Sequence, residues 1–214
     1  MKKIILVFIT IIVFLGSLAF NYSRIINTGL ASNMIRLHVV ANSNSKNDQL
    51  LKLQIRDKVL EYTNTLLKNS KNIDETNYIL RKNMDGISNV VKDYMREKNI
   101  NYAVKLSLGE FSFPTKTYGD VVLPAGKYQA LRVLVGEAKG KNWWCVLFPP
   151  LCFVDATHGK LSQATKQKLS RQLTKEEYNI ISKKKDDIQI KFKFKVVELF
   201  QISKIKLAGL FSKN

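Results

Sequence analysis

The chain is poor in the residues and motifs that most often carry enzyme chemistry. Its 214 residues include 2 histidines, 2 cysteines and 4 prolines. The sequence lacks an H-E-x-x-H zinc motif, a G-x-x-x-x-G-K-[ST] phosphate loop and a G-x-S-x-G nucleophile elbow. A single pair of cysteines also cannot supply all the ligands of a structural zinc site. The sequence therefore predicts no cofactor, no metal site and no catalytic set of residues.

Acidic residues are also scarce, and this gives the chain a strong positive charge. Lysine and arginine number 35 against 17 aspartate and glutamate residues, for a formal net charge of +18. A field of this sign attracts nucleic acid, anionic lipid or cell-wall polymer. The alternative is compositional drift toward lysine, because many lysines stand singly at positions that a folded domain leaves in solvent. Composition alone leaves both interpretations open.

The N-terminus predicts export. MKKIILVFITIIVFLGSLAF has two lysines, then an uninterrupted apolar run from Ile4 to Leu15, then small residues that suit cleavage after Ala19. Residues 1–20 are therefore a signal peptide or, because the apolar run is almost long enough to span a bilayer, an N-terminal anchor. In either case the rest of the chain leaves the cytoplasm, which excludes nucleic acid as a partner.

The remaining sequence divides into three parts. Residues 21–33 are small and polar and are predicted to be a tether, residues 34–156 are predicted to form an α+β domain, and residues 157–214 are a basic C-terminal extension. Within the extension, IQIKFKFKV alternates apolar residues with lysine, which is typical of a strand, whereas the last stretch fits a basic amphipathic helix. Such a tail can dock on the domain's own sheet or contact an anionic membrane surface, and docking is the preferred interpretation.

Hydrophobic periodicity predicts one strand, two helices and then several strands. Residues 34–41 alternate as a strand with one buried face, and Ser45 caps the helix that follows. A second helix is predicted over roughly 74–98, although Gly86 interrupts its pattern. After that, YQALRVLVG and NWWCVLF are predicted to pair as a hairpin through EAKGK. This order predicts an α+β fold, with one mostly antiparallel sheet and two helices packed on one face.

Charged and polar residues cluster around the first strand and the capped helix. They are Arg36, His38, Asn42, Asp48, Lys52, Arg56 and Asp57. Arg36 and His38 share the face of the strand opposite its apolar residues. The cluster is either a solvated network that holds the strand to its loop, or a surface that selects a partner by electrostatic match. The second interpretation makes all seven residues candidates for partner binding.

Both cysteines lie within NWWCVLFPPLCFVD. In an exported chain, two cysteines favour a disulfide, here between Cys145 and Cys152. A reversal of the chain at the two prolines would allow this bond without requiring it. The alternatives are inert buried thiols, or a thiolate nucleophile near His38 or His158.

The same stretch holds both tryptophans, Trp143 and Trp144, next to each other. Adjacent residues of a strand point to opposite faces of the sheet. One tryptophan can therefore join a core, whereas the other needs a second burial partner or stands in solvent. An exposed tryptophan beside a rigid Pro-Pro turn is a candidate interface anchor.

Two blocks of this sequence resemble the stage II sporulation protein R family of endospore-forming bacteria. The first is IRLHVVANSNSKNDQLLKLQIRDKVL (35–60), and the second is LPAGKYQALRVLVGEAKGKNWWCVLFPPLCFVD (123–155). The export segment completes the order of the family. The resemblance covers most of residues 1–155, whereas the lysine-rich tail matches only loosely.

The resemblance implies a signalling protein rather than an enzyme. Members of the family are made in the forespore and exported into the space between the forespore and mother-cell membranes. There they trigger a membrane-embedded aspartic protease of the mother cell, which processes the precursor of sigma factor E. This protease is the expected partner. The runner-up interpretation is an extracytoplasmic hydrolase that acts through a cysteine or through the region of His38 and Asp57, possible substrates including the cell wall.

Overall fold

The computed structural model describes residues 2–152 and 161–182. This part of the chain contains six helices and six strands, in the order α1 (Lys2–Ser32), β1 (Ile35–Val40), α2 (Lys46–Leu66), α3 (Ile73–Lys82), α4 (Met84–Glu97), β2 (Val104–Phe113), β3 (Lys116–Tyr118), β4 (Val121–Leu123), β5 (Gly126–Val135), β6 (Asn142–Phe148), α5 (Gln163–Gln172) and α6 (Lys175–Ile181). His158 and the strand or helix predicted near the C-terminus lie outside the described residues.

Four strands form the central sheet, in the order β2-β5-β1-β6. β1 lies parallel to β5 and antiparallel to β6, and β2 is antiparallel to β5. β3 and β4 form a separate antiparallel pair. The helices α2 and α4 contact each other and the strands β1, β2 and β6. The predicted α+β class, with a mostly antiparallel sheet, is confirmed.

The main core lies between the sheet and the two helices α2 and α4. Its central members are buried leucine, isoleucine and valine side chains: Leu37, Val39, Leu51, Ile55, Val59, Ile87, Val91, Leu131 and Val133. Each such side chain stabilises the fold by about 1.5–3 kcal/mol when it leaves water. The three- and four-residue spacing along the helices places these side chains on one stripe, which faces the sheet.

The hairpin predicted between β5 and β6 is wrong, because β1 lies between these two strands. Val39 of β1 pairs in register with Val133 on one side and with Trp143 on the other. The connection after β5 instead packs on the turn after β1, where the Gly140 amide donates to the carbonyl of Ala41 at 2.9 Å. A turn signal shows where the chain reverses, but not which strand lies next in the sheet.

The helix predictions are partly confirmed. Ser45 caps α2, and its hydroxyl oxygen accepts a hydrogen bond from the Asp48 amide at 3.1 Å. The single helix predicted over roughly 74–98 is wrong, because two helices meet at Asn83, whose side-chain amide donates to the carbonyl of Ile79 at 2.8 Å. Gly86 lies inside α4, and a side chain there would collide with the Tyr62 hydroxyl of α2. The glycine therefore allows close packing of α4 on α2.

The prediction of one buried face for β1 is also wrong, because all six of its residues are buried. Ile35, Leu37 and Val39 face the main core. Arg36 and His38 point the other way, where their side chains are 0% and 8% exposed. The strand is central in the sheet, and aromatic side chains from other strands cover its second face.

The segment predicted to be a tether, residues 21–33, continues α1 as a helix as far as Ser32. Ile26 and Leu30 are buried in the main core. Gly29 lies directly against the Glu177 side chain of α6. This segment therefore packs on the domain as well as connecting to it. Within residues 2–152 and 161–182, no helix combines the length and the apolar character that crossing a membrane requires.

Replacing Leu30 tests this packing. Leu30→Ala is expected to lower the free energy of unfolding by about 2–4 kcal/mol, because it leaves a cavity where α1 meets the domain. Ile25→Ala is the matched control, because Ile25 is 69% exposed and Leu30 is 0% exposed, and it is expected to change the value by less than about 0.5 kcal/mol. Urea unfolding followed by tryptophan fluorescence measures both. Equal effects would contradict the docking of this helix.

Candidate functional site

The second face of the sheet, opposite α2 and α4, carries a cluster of aromatic and cationic side chains. Strand alternation places the members from the central sheet together, because residues in register on neighbouring strands share a face, and Tyr118 of β3 joins them through its hydrogen bond with Arg36. We call this surface the aromatic face, and its members are Arg36, His38, Phe111, Phe113, Tyr118, Tyr128, Arg132 and Trp144. Ala31 at the end of α1 packs against the cluster that Phe113, Tyr128 and Ala130 form on this face.

Arg36 is the fully buried arginine of the aromatic face. Its guanidinium carbon lies 4.2 Å from the ring centre of Phe113 and 4.8 Å from that of Tyr128. Its Nη2 donates a hydrogen bond of 2.7 Å to the Tyr118 hydroxyl, while Nε and Nη1 have no hydrogen-bond partner. Cation–π contact with the two rings stabilises this buried charge. Arg36 therefore acts from inside the fold, by positioning its neighbours.

Tyr118 transmits this positioning to the edge strand β6. Burial raises the pKa of Tyr118, against the opposing effect of the Arg36 charge, and burial raises the pKa of Tyr128 to about 12. Both phenols therefore keep their protons at neutral pH. The Tyr118 hydroxyl can then donate to the backbone carbonyl of Trp144, at 3.2 Å. Arg36, Tyr118 and Trp144 form a chain of hydrogen bonds that fixes the backbone of β6 at Trp144.

His38 supports the Trp144 side chain. The two rings stack with their centres 3.7 Å apart and their planes 13° from parallel. His38 Nε2 lies 2.7 Å from Asn142 Oδ1, and because an amide oxygen only accepts, Nε2 carries a proton. Burial lowers the pKa of His38, the Asn142 hydrogen bond partly opposes this, and the charges of Arg132 and Arg36 add to the lowering. His38 is therefore neutral at pH 7 and serves as an aromatic support.

The two tryptophans point to opposite faces of the sheet, as predicted. Trp144 packs between His38 and Phe113, with its ring centre 4.8 Å from that of Phe113. Trp143 packs on the main core, and the guanidinium carbon of Arg56 lies 4.2 Å from its ring centre. Both tryptophans are half-buried. Each therefore has its own support, and neither projects freely from the sheet.

The predicted residues Asn42, Asp48 and Lys52 form a network that fixes the turn after β1. Asp48 Oδ2 accepts hydrogen bonds from the Asn42 amide at 2.9 Å and from the Ser43 hydroxyl at 2.6 Å. The Ser43 bond is the main reason that the pKa of Asp48 is lowered, and burial opposes it. Lys52 Nζ donates to the carbonyl of Lys141 at 3.2 Å, and burial lowers the pKa of Lys52. These groups hold the turn to the loop that precedes β6.

The seven polar residues that the sequence groups together are divided among three places. Arg36 and His38 lie in the aromatic face, and Asn42, Asp48 and Lys52 lie in the turn network. Arg56 and Asp57 lie on α2, where Arg56 pairs with Asp57 at 2.7 Å and covers Trp143. Contact of each residue with a partner stays a prediction. In residues 2–152 and 161–182, no group of three or more His, Cys, Asp or Glu side chains could hold a metal ion.

Sequence reasoning missed five members of the aromatic face, namely Phe111, Phe113, Tyr118, Tyr128 and Arg132. Arg132 alternates with apolar residues in YQALRVLVG, so its face could be assigned from strand parity alone. Tyr118 could not be found in this way, because it belongs to the separate β3–β4 pair and reaches Arg36 only in the folded chain.

Cys145 and Cys152 form a disulfide, with their Cα atoms 5.2 Å apart. The bond closes the reversal that follows β6, where the Leu151 amide also donates to the carbonyl of Val146 at 3.1 Å. Cys145 lies in register with Leu37, so it points to the face opposite His38. A thiolate paired with His38 therefore has no support in this arrangement.

The sequence profile of Stage II sporulation protein R matches residues 31–158. The chain belongs to this family. The match includes β1, α2, β5, β6 and every member of the aromatic face. The chain is also 39% identical, over 143 residues, to Stage II sporulation protein R of Bacillus subtilis (strain 168), and the aligned part covers 67% of this chain and 62% of that protein. No solved structure matches the chain. Family membership makes this a sporulation-related protein.

The lowered pKa of His38 predicts a pH-dependent stability. Because the folded pKa lies below the ordinary value of 6.5, the unfolded chain binds the proton more readily. The free energy of unfolding is therefore highest above about pH 6.5 and decreases as the pH falls through the folded pKa. His38→Gln is expected to remove this part of the dependence. Urea unfolding of the His158→Gln protein, with and without His38→Gln, measures it between about pH 8 and pH 5.5. Identical pH dependences would contradict the prediction.

The disulfide predicts a measurable stabilisation of the protein. Reduction is expected to add two hydrogens to the intact mass, and replacing both cysteines by serine is expected to lower the free energy of unfolding by about 2–3 kcal/mol, because the short loop is no longer closed in the unfolded chain. Mass spectrometry and urea unfolding give the two values. Alkylation of Cys145 or Cys152 without prior reduction would show that the bond is absent in solution.

Proposed function

We propose that this chain is an exported sporulation signal, which activates a membrane-embedded aspartic protease that processes the precursor of sigma factor E. The family match over residues 31–158 carries the proposal. The basic start and apolar run of MKKIILVFITIIVFLGSLAF support export from the forespore into the space between the two membranes. The basic C-terminal extension adds a possible contact with a membrane surface.

Activation by binding requires that the chain have a higher affinity for the active state of the protease than for its inactive state. A rigid recognition surface suits this task, because little conformational freedom is lost on binding. The edge strand β6 is fixed at Trp144 by Tyr118 and His38, and at its end by the disulfide. The aromatic face is therefore our preferred surface for this contact.

The hydrolase alternative receives less support from the arrangement of its candidate residues. His38 and Asp57 lie on opposite sides of the sheet, because His38 stacks on Trp144 and Asp57 belongs to α2 beside Trp143. The two cysteines are bonded to each other. A signal that acts by binding accounts for these positions more simply than an enzyme does.

Co-expression in a non-sporulating host tests the proposal. The chain is produced with the protease and the sigma precursor, and processing is followed by immunoblot. Wild type is expected to drive processing, and Trp144→Ala is expected to reduce it about tenfold or more, because loss of a central aromatic anchor costs more than about 1.4 kcal/mol. Tyr78→Ala is the matched control, because it removes an aromatic side chain that is 65% exposed and that belongs to α3 rather than to the sheet.

Two results would contradict the proposal in different ways. Failure of the wild-type chain to promote processing would refute the signalling function itself. Full processing by a folded Trp144→Ala protein would exclude Trp144 as an anchor.

The hydrolase alternative has its own test. Full processing by a protein with serine at positions 145 and 152, at normal abundance, would exclude a cysteine nucleophile.

A further inference from the structure

One row of side chains crosses all four strands of the aromatic face. Ser107 of β2 pairs with Arg132 of β5, Arg132 pairs with His38 of β1, and His38 pairs with Trp144 of β6. Arg132 and Trp144 are half-buried, so both retain contact with solvent. The row therefore presents a cation near its middle and an indole ring at its edge.

Arg132 is held in place without a partner for its charge. Its guanidinium carbon lies 4.1 Å from the ring centre of Phe111, and this stacking leaves the N–H groups at the edge of the guanidinium plane available. Arg132 Nε and the neighbouring Ser107 hydroxyl are themselves buried and have no hydrogen-bond partner. A flat guanidinium stacked on a ring suits two-point recognition of a carboxylate through the N–H groups at the edge of its plane.

The local charge has one sign. Arg36 and Arg132 lie on the same face, and within residues 2–152 and 161–182 no ion pair joins either of them to a carboxylate. An acidic partner complements this field, whereas a like charge is repelled. A second copy of this chain carries a net charge of +18, and the extension 183–214 contains more lysines than acidic residues. Charge therefore disfavours both as occupants.

We propose that the aromatic face binds an acidic segment of the partner protein, with Arg132 pairing a carboxylate and with Phe111 and Trp144 contacting the apolar parts of the segment. Only the identification of that partner as the protease rests on the proposed function. Arg132, Phe111 and Trp144 are thereby recognition residues, and Arg36, His38 and Tyr118 are positioning residues that support Trp144.

The test uses a glutamate-rich hexapeptide with capped ends and its glutamine counterpart. Binding to the full chain is followed by the two tryptophan indole N–H signals in NMR spectra. The glutamate peptide is expected to shift the Trp144 signal and to leave that of Trp143, which lies on the opposite face, unchanged. Arg132→Gln is expected to weaken binding about tenfold, and Arg132→Lys is expected to have a smaller effect, because it keeps the charge but loses the planar fork.

Arg81→Gln is the matched control, because it removes the same charge from an exposed position on α3. Equal weakening by Arg81→Gln and Arg132→Gln would show that the loss of net charge alone explains the effect, and it would overturn the proposal. Equal binding of the glutamine peptide, or loss of binding on removal of residues 183–214 alone, would overturn it as well. An unchanged Trp143 signal in each variant verifies the fold. A wild-type chain that binds the peptide but fails to drive processing would refute the proposed function. The assignment of the aromatic face as a binding surface for an acidic segment would still stand.

Discussion

The central position of β1 is the constraint on which the rest of the structure depends. The strand is hydrogen-bonded on both sides, by β5 and by β6, and it is covered on both faces. Strand alternation then directs Arg36 into the interior, on the face away from the helices. An unpaired charge in such a place costs several kcal/mol. The rings of Phe113 and Tyr128 and the hydroxyl of Tyr118 offset this cost, and so the aromatic cluster follows from the position of one strand.

The edge strand β6 depends on the same arrangement. It is supported on one face by the stacking of His38 on Trp144, and on the other by the stacking of Arg56 on Trp143. The disulfide holds the chain where it leaves the strand. An edge strand normally presents unpaired backbone groups, but here the carbonyl of Trp144 accepts from Tyr118. The supports make β6 a fixed frame for its two indole rings.

The sequence was informative where structure depends on local chemistry. The strand at 35–40, the Ser45 cap and the opposite directions of the two tryptophans all follow from periodicity or from one hydrogen bond. The pairing of β5 with β1 could not be predicted in this way, because sheet order is decided by contacts between distant segments. The break at Asn83 was missed because its signal is a single side chain that bonds to the preceding turn.

The same limit explains why the candidate site was only partly predicted. Arg36 and His38 were correctly placed on one face of β1, but that face could be recognised as buried only once Tyr118 and Trp144 were seen to cover it. Arg132 is separated from them by about a hundred residues of sequence and becomes their neighbour through the parallel pairing of β1 with β5.

The distinction between net charge and local charge decides how this chain could select a partner. The net charge of +18 speeds encounters with any anionic surface, but it cannot distinguish one acidic protein from another. Selection requires donors at fixed positions, because only a partner with matching acceptors then recovers the free energy of desolvation. Arg132 has such a position, since Phe111 holds its guanidinium plane and the row through His38 to Trp144 sets its distance from the indole ring. We therefore infer that charge brings the partner to this protein and that the geometry of the aromatic face selects it.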